Sequence, residues 1–334
     1  MQMKITQTGI AEACGVSFQV VSAILNGKDP KLNARYGEET RKKVLETAEK
    51  LGYQRNRTAR NLVRKRHGQI GIITDRIYML PHILQQGIID EAKKHDCLVT
   101  IESYNPENGD VPLVIRENCV DGVILLKDLS PDIRKRIPDN FPVVYFNTNE
   151  RRNAGSIIFD EIGALNMVAA KFAGNGRKNP AYLCHEERSD THYSFVERRR
   201  VFPKACLKHG LRKPLEFLLE PGWDLSDLYE DRINRLRSFL EENSDVDCIL
   251  MASSAFAGIL GQACMQIGKK LPVDLDVAGF EWGHDERITC PWFTGLHMSY
   301  YRLGVASVVK LDRMINGEKV EPEKYEYLLS EPLL

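Results

Sequence analysis

The sequence predicts an all-α head followed by a two-lobed α/β body, each lobe a parallel sheet flanked by helices. Three observations point there. Short amphipathic stretches punctuated by Gly15 and Gly27 open the chain. After Gly68, short apolar runs alternate with helical patterns, the texture of parallel strands joined by crossover helices. The charge divides at the same place. Residues 1–67 hold 14 Lys and Arg against 6 Asp and Glu, whereas residues 68–334 hold 32 against 40, so the formal net charge of zero hides a basic head on an acidic body. A basic unit at one end points to nucleic-acid contact there. An incidental cluster of solvated Lys and Arg is the plainer alternative.

A chain of 334 residues exceeds one ordinary domain, and 43% hydrophobic content is enough to build cores without disulfide staples. The eight cysteines are scattered and none forms C-x-x-C, which argues against a zinc site or redox pair and fits a reducing compartment. The polar N-terminal stretch does not read as a signal peptide, and no apolar run reaches the ~18 residues of a membrane span. The expectation is a cytoplasmic protein with no membrane partner. No P-loop, G-x-S-x-G or H-E-x-x-H occurs, and the eight histidines lack metal-ligand spacing. No enzyme, cofactor or metal site is therefore expected. His82, His185, His192, His284 and His297 read as polar surface or pocket groups.

Within the head, Thr6 suits the N-cap of a helix running to about Cys14, with Ile10, Ala11 and Cys14 on one face. Gly15 supplies a turn. Ser17 caps a second helix, Phe18 to Asn26, whose inward face is Val21, Ile24 and Leu25, and Gly27 ends it. A third helix, from about Glu38 to Leu51, places Val44, Leu45, Ala48 and Leu51 inside, and Gly52 closes it. Two short helices about a glycine turn, braced by a third, make a helix-turn-helix. In such a unit the start of the second helix enters the major groove. Gln19 suits bidentate contact with adenine and Phe18 suits a thymine methyl, the alternative being that Phe18 packs within the head. Ser17, Ser22 and Asn26 suit phosphates that set register.

The patterns A-x-x-x-G-V-S (Ala11 to Ser17) and V-S-x-x-L-N-G (Val21 to Gly27), with Thr40-Arg41-x-x-Val44 and Leu51-Gly52-Tyr53, resemble the lac repressor (LacI/GalR) family. The resemblance implies DNA contacts by Thr6, Ser17, Phe18, Gln19, Ser22 and Asn26. Two departures stand out. Ala23 occupies a position where many members carry a base-reading Arg. The loop from Lys28 to Gly37 is longer than usual, and it is either a basic wing or a plain connector. Residues 54–66 (QRNRTARNLVRKR) hold six basic residues and no acidic one, at the place of the family's hinge helix. Asn56, Ala59 and Leu62 match that motif, and Arg55 replaces its proline. The resemblance assigns Asn56, Arg57, Ala59 and Leu62 to DNA, with Leu62 wedged into the minor groove. The other reading is a basic linker in which Leu62 is inert.

The body reads as strands at 69–74, 98–101, 121–126, 142–146, 156–159, 180–184, 215–219, 247–251 and 275–280, with helical patterns at 83–96, 162–174, 193–210, 225–242 and 255–269. It resembles the family's periplasmic-binding-protein-like sensor. That implies a head at 1–53, a hinge at 54–67 and a sensor at 68–334. Its first lobe is about 68–168 plus 298–325, and its second about 169–297 plus 326–334. A ligand between the lobes would sit at the carboxyl ends of the strands. The resemblance carries Tyr78, Asn147, Ser194, Arg198, Trp223, Ser253 and Glu281 into the effector site, Arg198 contacting a sugar hydroxyl or carboxylate. Each of three residues has a second reading: Arg198 in a structural salt bridge, Glu281 at the surface or ion-paired, and Trp282 in the core or an interface. Ser253-Ser254 replaces the family's Asn-Asp pair and Glu281 its Asp, so the usual hydrogen-bond set is rewritten.

Further expectations are a homodimer joined through the first lobe near residues 83–96 and 111–119, a pseudo-palindromic double-stranded operator, and a small-molecule effector, carbohydrate by default. No leucine-heptad tail is seen, so a tetramer built that way is not expected. The alternative function is a DNA-binding regulator with a non-sugar effector or a non-functional pocket.

Overall fold

The computed structural model describes residues 5–26, 36–54, 57–75, 77, 80–105, 109–185, 192–219, 227–281 and 290–333. It divides into two compact units, residues 1–66 and 67–334.

In the first unit, α1 (Gln7–Cys14) begins where Thr6 Oγ1 accepts from the Gly9 amide at 3.2 Å, and it stops at Gly15. Gly15 lies at φ 66°, in the left-handed region that costs a residue without Cβ nothing. The chain turns by 114° into α2 (Phe18–Asn26). After α3 (Glu38–Lys50) and α4 (Arg57–Arg64) the unit ends. Ile10, Ala11 and Cys14 of α1 and Val21, Ile24 and Leu25 of α2 meet Val44 and Ala48 of α3 in one small core. The reading of α3 needs correction. Leu45 is 43% and Leu51 39% exposed, so neither belongs to that core. Val44 and Ala48, one turn apart, form the inward stripe; Leu45 sits about 100° around the helix from it, and Leu51 lies beyond the last turn.

The second unit contains two six-stranded sheets. In the first, β1 (Gln69–Thr74), β2 (Leu98–Ser103), β3 (Val123–Leu125), β4 (Val143–Phe146), β5 (Ser156–Phe159) and β11 (Glu323–Tyr325) run in the order β2-β1-β3-β4-β5-β11, all parallel. In the second, β6 (Pro180–His185), β7 (Leu215–Leu219), β8 (Cys248–Met251), β9 (Asp276–Phe280), β10 (Thr294–His297) and β12 (Leu328–Ser330) run β7-β6-β8-β9-β10-β12. The expected purely parallel second sheet is modified at one edge. There β12 runs antiparallel to β10.

The helices α5 (His82–Lys94), α6 (Leu113–Arg116), α7 (Pro131–Arg134) and α12 (Tyr300–Ile315) accompany the first sheet, and α8 (Glu161–Gly174), α9 (Tyr193–Lys208), α10 (Asp227–Glu242) and α11 (Ala257–Gln266) follow the crossing from β5. Helices α5 and α12 pack backbone to backbone. A Cβ on Gly304 would strike the Leu84 carbonyl and lie 2.9 Å from the Ile88 amide nitrogen, so only glycine permits that approach. Central strands such as β8 are buried throughout, as expected of a parallel sheet covered on both faces. Among the described residues no single helix is long and apolar enough to cross a membrane.

Candidate nucleic-acid and effector sites

The first turn of α2 shows which head side chains are available. Its inward face is filled by Val21, Ile24 and Leu25, so Ser17, Phe18 and Gln19 point elsewhere and are exposed, Phe18 by 50%. An aromatic ring half in water is not packed in the head core. Ser17 Oγ accepts from the Val20 amide at 3.4 Å and so caps the helix. Thr6 is likewise exposed at its own cap, and Ser22 is half-buried. The side chain of Asn26 and all of Asn56 lie outside the described residues. In α4, Arg57 is half-buried at the first position, Ala59 stands in the first turn with its side chain outside the described residues, and Leu62 is 79% exposed. Lys65, at φ 52°, ends that helix.

In the body, the carboxyl ends of the two sheets converge on α9. Asn147, just past β4, takes φ 50°, and its buried Oδ1 accepts from the Tyr193 hydroxyl at 2.6 Å. That hydroxyl accepts in turn from the Phe159 amide at 3.1 Å. Asn149 Oδ1 accepts from the Tyr193 amide at 2.7 Å, and His192 Nε2 lies 2.7 Å from the Asn147 carbonyl. His192 also caps α9, its Nδ1 accepting from the Ser194 amide at 3.3 Å and lying 2.7 Å from Ser194 Oγ. Two of the expected positions, Asn147 and Ser194, are therefore joined through His192. Burial pushes the Tyr193 phenol well above its usual value, so it stays a donor to Asn147.

One turn further along α9, Arg198 is 6% exposed. Its Nε donates to Glu161 Oε2 at 2.7 Å and Nη2 to Glu161 Oε1 at 2.9 Å. Nη1 donates to the Ala252 carbonyl at 2.6 Å, and Nη2 also to the Tyr327 hydroxyl at 3.1 Å. The guanidinium centre lies 3.4 Å from the Phe280 ring centroid. Burial alone would lower the Arg198 pKa, but the facing carboxylate reverses that and holds it above its ordinary value. Burial pushes Glu161 up while Arg198 opposes it. The two-pronged geometry is that of an ion pair, and both groups are taken as charged.

Arg198 thus touches the residues preceding two more expected positions, Ser253 and Glu281. Ser253 Oγ accepts from the Ala255 amide at 3.3 Å and starts a short 3₁₀ turn. Its neighbour Ser254 is buried, and among the described residues its hydroxyl has no hydrogen-bond partner. Glu281 is buried at the end of β9, its amide bonded to Leu296 O at 2.9 Å and its carbonyl accepting from the Tyr300 hydroxyl at 3.2 Å. Tyr78, Trp223 and Trp282 lie outside the described residues. Sequence reasoning did not find Glu161, Tyr193, Tyr327 or Phe280 for this site. Glu161 reads simply as an acid favoured in a first helical turn, and nothing local marks a partner 37 residues away.

Residues 169–331 match the model of the periplasmic binding protein-like domain. Catabolite control protein A of Priestia megaterium is 25% identical over 327 residues, covering 96% of this chain and 95% of that protein. The transcriptional regulator RegA of Clostridium acetobutylicum is 27% identical over 337 residues, with 96% and 95% covered. The transcriptional repressor PurR of Mannheimia succiniciproducens is 25% identical over 332 residues, with 95% and 94% covered. These alignments run through head and body alike. Over nearly its whole length the chain is similar to these transcription regulators. The fold agrees. The lac repressor dimer bound to operator and the anti-inducer ONPF superposes with a TM-score of 0.77 at 20% identity, covering 99% of this chain and 100% of that one. The complex of the regulator CelR with cellobiose gives 0.64 at 19% identity, covering 98% and 99%.

Proposed function

We propose that this lac-repressor-family chain is a cytoplasmic, homodimeric, sequence-specific DNA-binding regulator, a repressor in its default role. In this reading, residues 1–53 bind the major groove and 54–67 form the hinge. Residues 68–334 form the sensor, with lobes at about 68–168 plus 298–325 and 169–297 plus 326–334. A small molecule, carbohydrate or a derivative, seated between the lobes at the ends of β4, β6, β8 and β9 sets operator affinity by favouring one lobe angle.

The observation that carries this is the first turn of α2: Ser17, Phe18 and Gln19 stand exposed on a helix whose other face is already packed. Those side chains have no structural task beyond the Ser17 cap, and their chemistry suits base edges. The exposed Leu62 and the run of basic residues around it supply the minor-groove half of the contact. The lac repressor dimer is known on operator DNA and CelR with cellobiose, which supports the same partners here. Exposed Ile83 on α5 and Leu113 on α6 support a dimer contact through the first lobe.

The test is selection of bound duplexes from random DNA, with and without sugars. Recovery of one pseudo-palindromic site is expected. With roughly 6–10 phosphates engaged, its affinity should fall by about 10³–10⁵ between 50 and 200 mM salt. Recovery without sequence preference, or a flat salt response, would contradict the proposal.

A further inference from the structure

A guanidinium offers five N–H donors, and Arg198 already uses four of them. Two go to Glu161, at 2.7 and 2.9 Å, one to the Ala252 carbonyl at 2.6 Å and one to the Tyr327 hydroxyl at 3.1 Å. Among the described residues, a single N–H on Nη1 is left. The Glu161 Oε1 atom accepts a second bond, from the Tyr327 hydroxyl at 3.1 Å, which fixes the carboxylate in place. The pair is closed sterically as well, with Phe280 3.4 Å and Phe195 5.2 Å from the guanidinium centre.

We propose that Glu161 sets the charge class of the effector: by holding Arg198 in a completed carboxylate pair, it makes the cleft accept an uncharged, hydroxyl-bearing molecule and refuse the matching phosphate ester or carboxylate. This rests on the reading of the cleft as the effector site. An anion recognised by arginine needs two parallel donors and an uncompensated positive charge. Arg198 offers neither. A second anion here would be desolvated beside the Glu161 carboxylate, with like charges opposed at low dielectric. A neutral hydroxyl needs one donor and carries no such penalty, which matches the one N–H remaining. Among the described residues, two cations past strands of the first sheet are also paired: Lys127, past β3, lies 3.1 Å from Asp75, past β1, and Arg151, past β4, lies 2.8 Å from Glu197.

Thermal-shift titration of the full-length wild type, Glu161→Gln and Glu161→Asp decides the matter. The probes are glucose with glucose 6-phosphate, galactose with galacturonate, and inorganic sulfate as a bare anion. In wild type and Glu161→Asp, sulfate should not stabilise, and no anionic sugar should exceed its neutral partner. In Glu161→Gln, the released fork should bind sulfate about tenfold or more tightly than wild type does. A purely structural role for Glu161 would lower all melting temperatures without altering charge preference. Equal sulfate responses in wild type and Glu161→Gln overturn the proposal. So does a wild-type preference of about tenfold for an anionic sugar over its neutral partner, which decides the case even if Glu161→Gln does not fold. If no sugar of either kind stabilises wild type, the carbohydrate-sensor reading fails, while the sulfate comparison still decides the role of Glu161.

Discussion

Replacing Tyr193 with Phe removes one oxygen and leaves the ring. In the structure that oxygen donates to Asn147 Oδ1 at 2.6 Å and accepts from the Phe159 amide at 3.1 Å, within a buried setting. The ring's contacts with the Arg151 guanidinium at 4.9 Å and the His192 ring at 5.1 Å survive the change. Tyr193→Phe therefore strips partners from one buried acceptor and one buried donor together. Each orphaned group costs ~1–3 kcal/mol, and the first turn of α9 loses one of its ties to the β4 and β5 ends. The expected destabilisation is about 2–4 kcal/mol, or roughly 5–10 °C in melting temperature for a unit of this size. Urea denaturation followed by circular dichroism and a thermal melt measure it. A loss below about 0.5 kcal/mol, the level of an ordinary surface substitution, would refute the reasoning. It would mean that the hydroxyl is not the tie between α9 and the first sheet.

Two further outcomes are expected. Leu62→Ala removes a side chain that is 79% exposed, so stability should change by less than about 0.5 kcal/mol. Affinity for the selected duplex and the bend in it should drop together, as read by gel retardation with permuted sites; an unchanged bend would assign Leu62 no wedge role. Acid should weaken the body where the chain crosses between sheets. Burial raises the Asp160 and Glu323 carboxyls, but Lys324, 2.8 Å from Asp160, and Lys310, 2.7 Å from Glu323, more than offset it and hold both below their ordinary values. Such depressed carboxylates contribute stability that is present above their unfolded pKa and lost as pH falls through the folded one. A melting temperature that holds from pH 7 to about 5 and drops below about 4 is the expected profile, and a melt indifferent to acid would show these pairs to be energetically silent.

The strand cores were legible because buried parallel strands write themselves as short apolar runs bounded by turn residues, as in QIGIIT or DCILM. The edges were not. β11 reads EKY, and β12 is three residues long, so each owes its place to a neighbouring strand and not to its own pattern. The helix α12 did carry a signal, with Leu303, Ser307 and Leu311 buried at helical spacing. In the head, the leucines of α3 misled because hydrophobicity alone says nothing about which side of a helix a small core reaches. The site was legible one residue at a time. Arg198 and Asn147 could be nominated from motif position, but the partners that fix what they can do, Glu161 and Tyr193, lie 37 and 46 residues away in sequence. Only the fold brings them into contact.

The most direct measurement compares the intact chain with residues 67–334 on the selected duplex, by fluorescence anisotropy alongside sedimentation. The body forms its own compact unit, so the shortened protein should remain folded and dimeric while its grip on the duplex disappears. Equal affinity in the two proteins would mean that the exposed first turn of α2 and the basic segment behind it do not hold DNA.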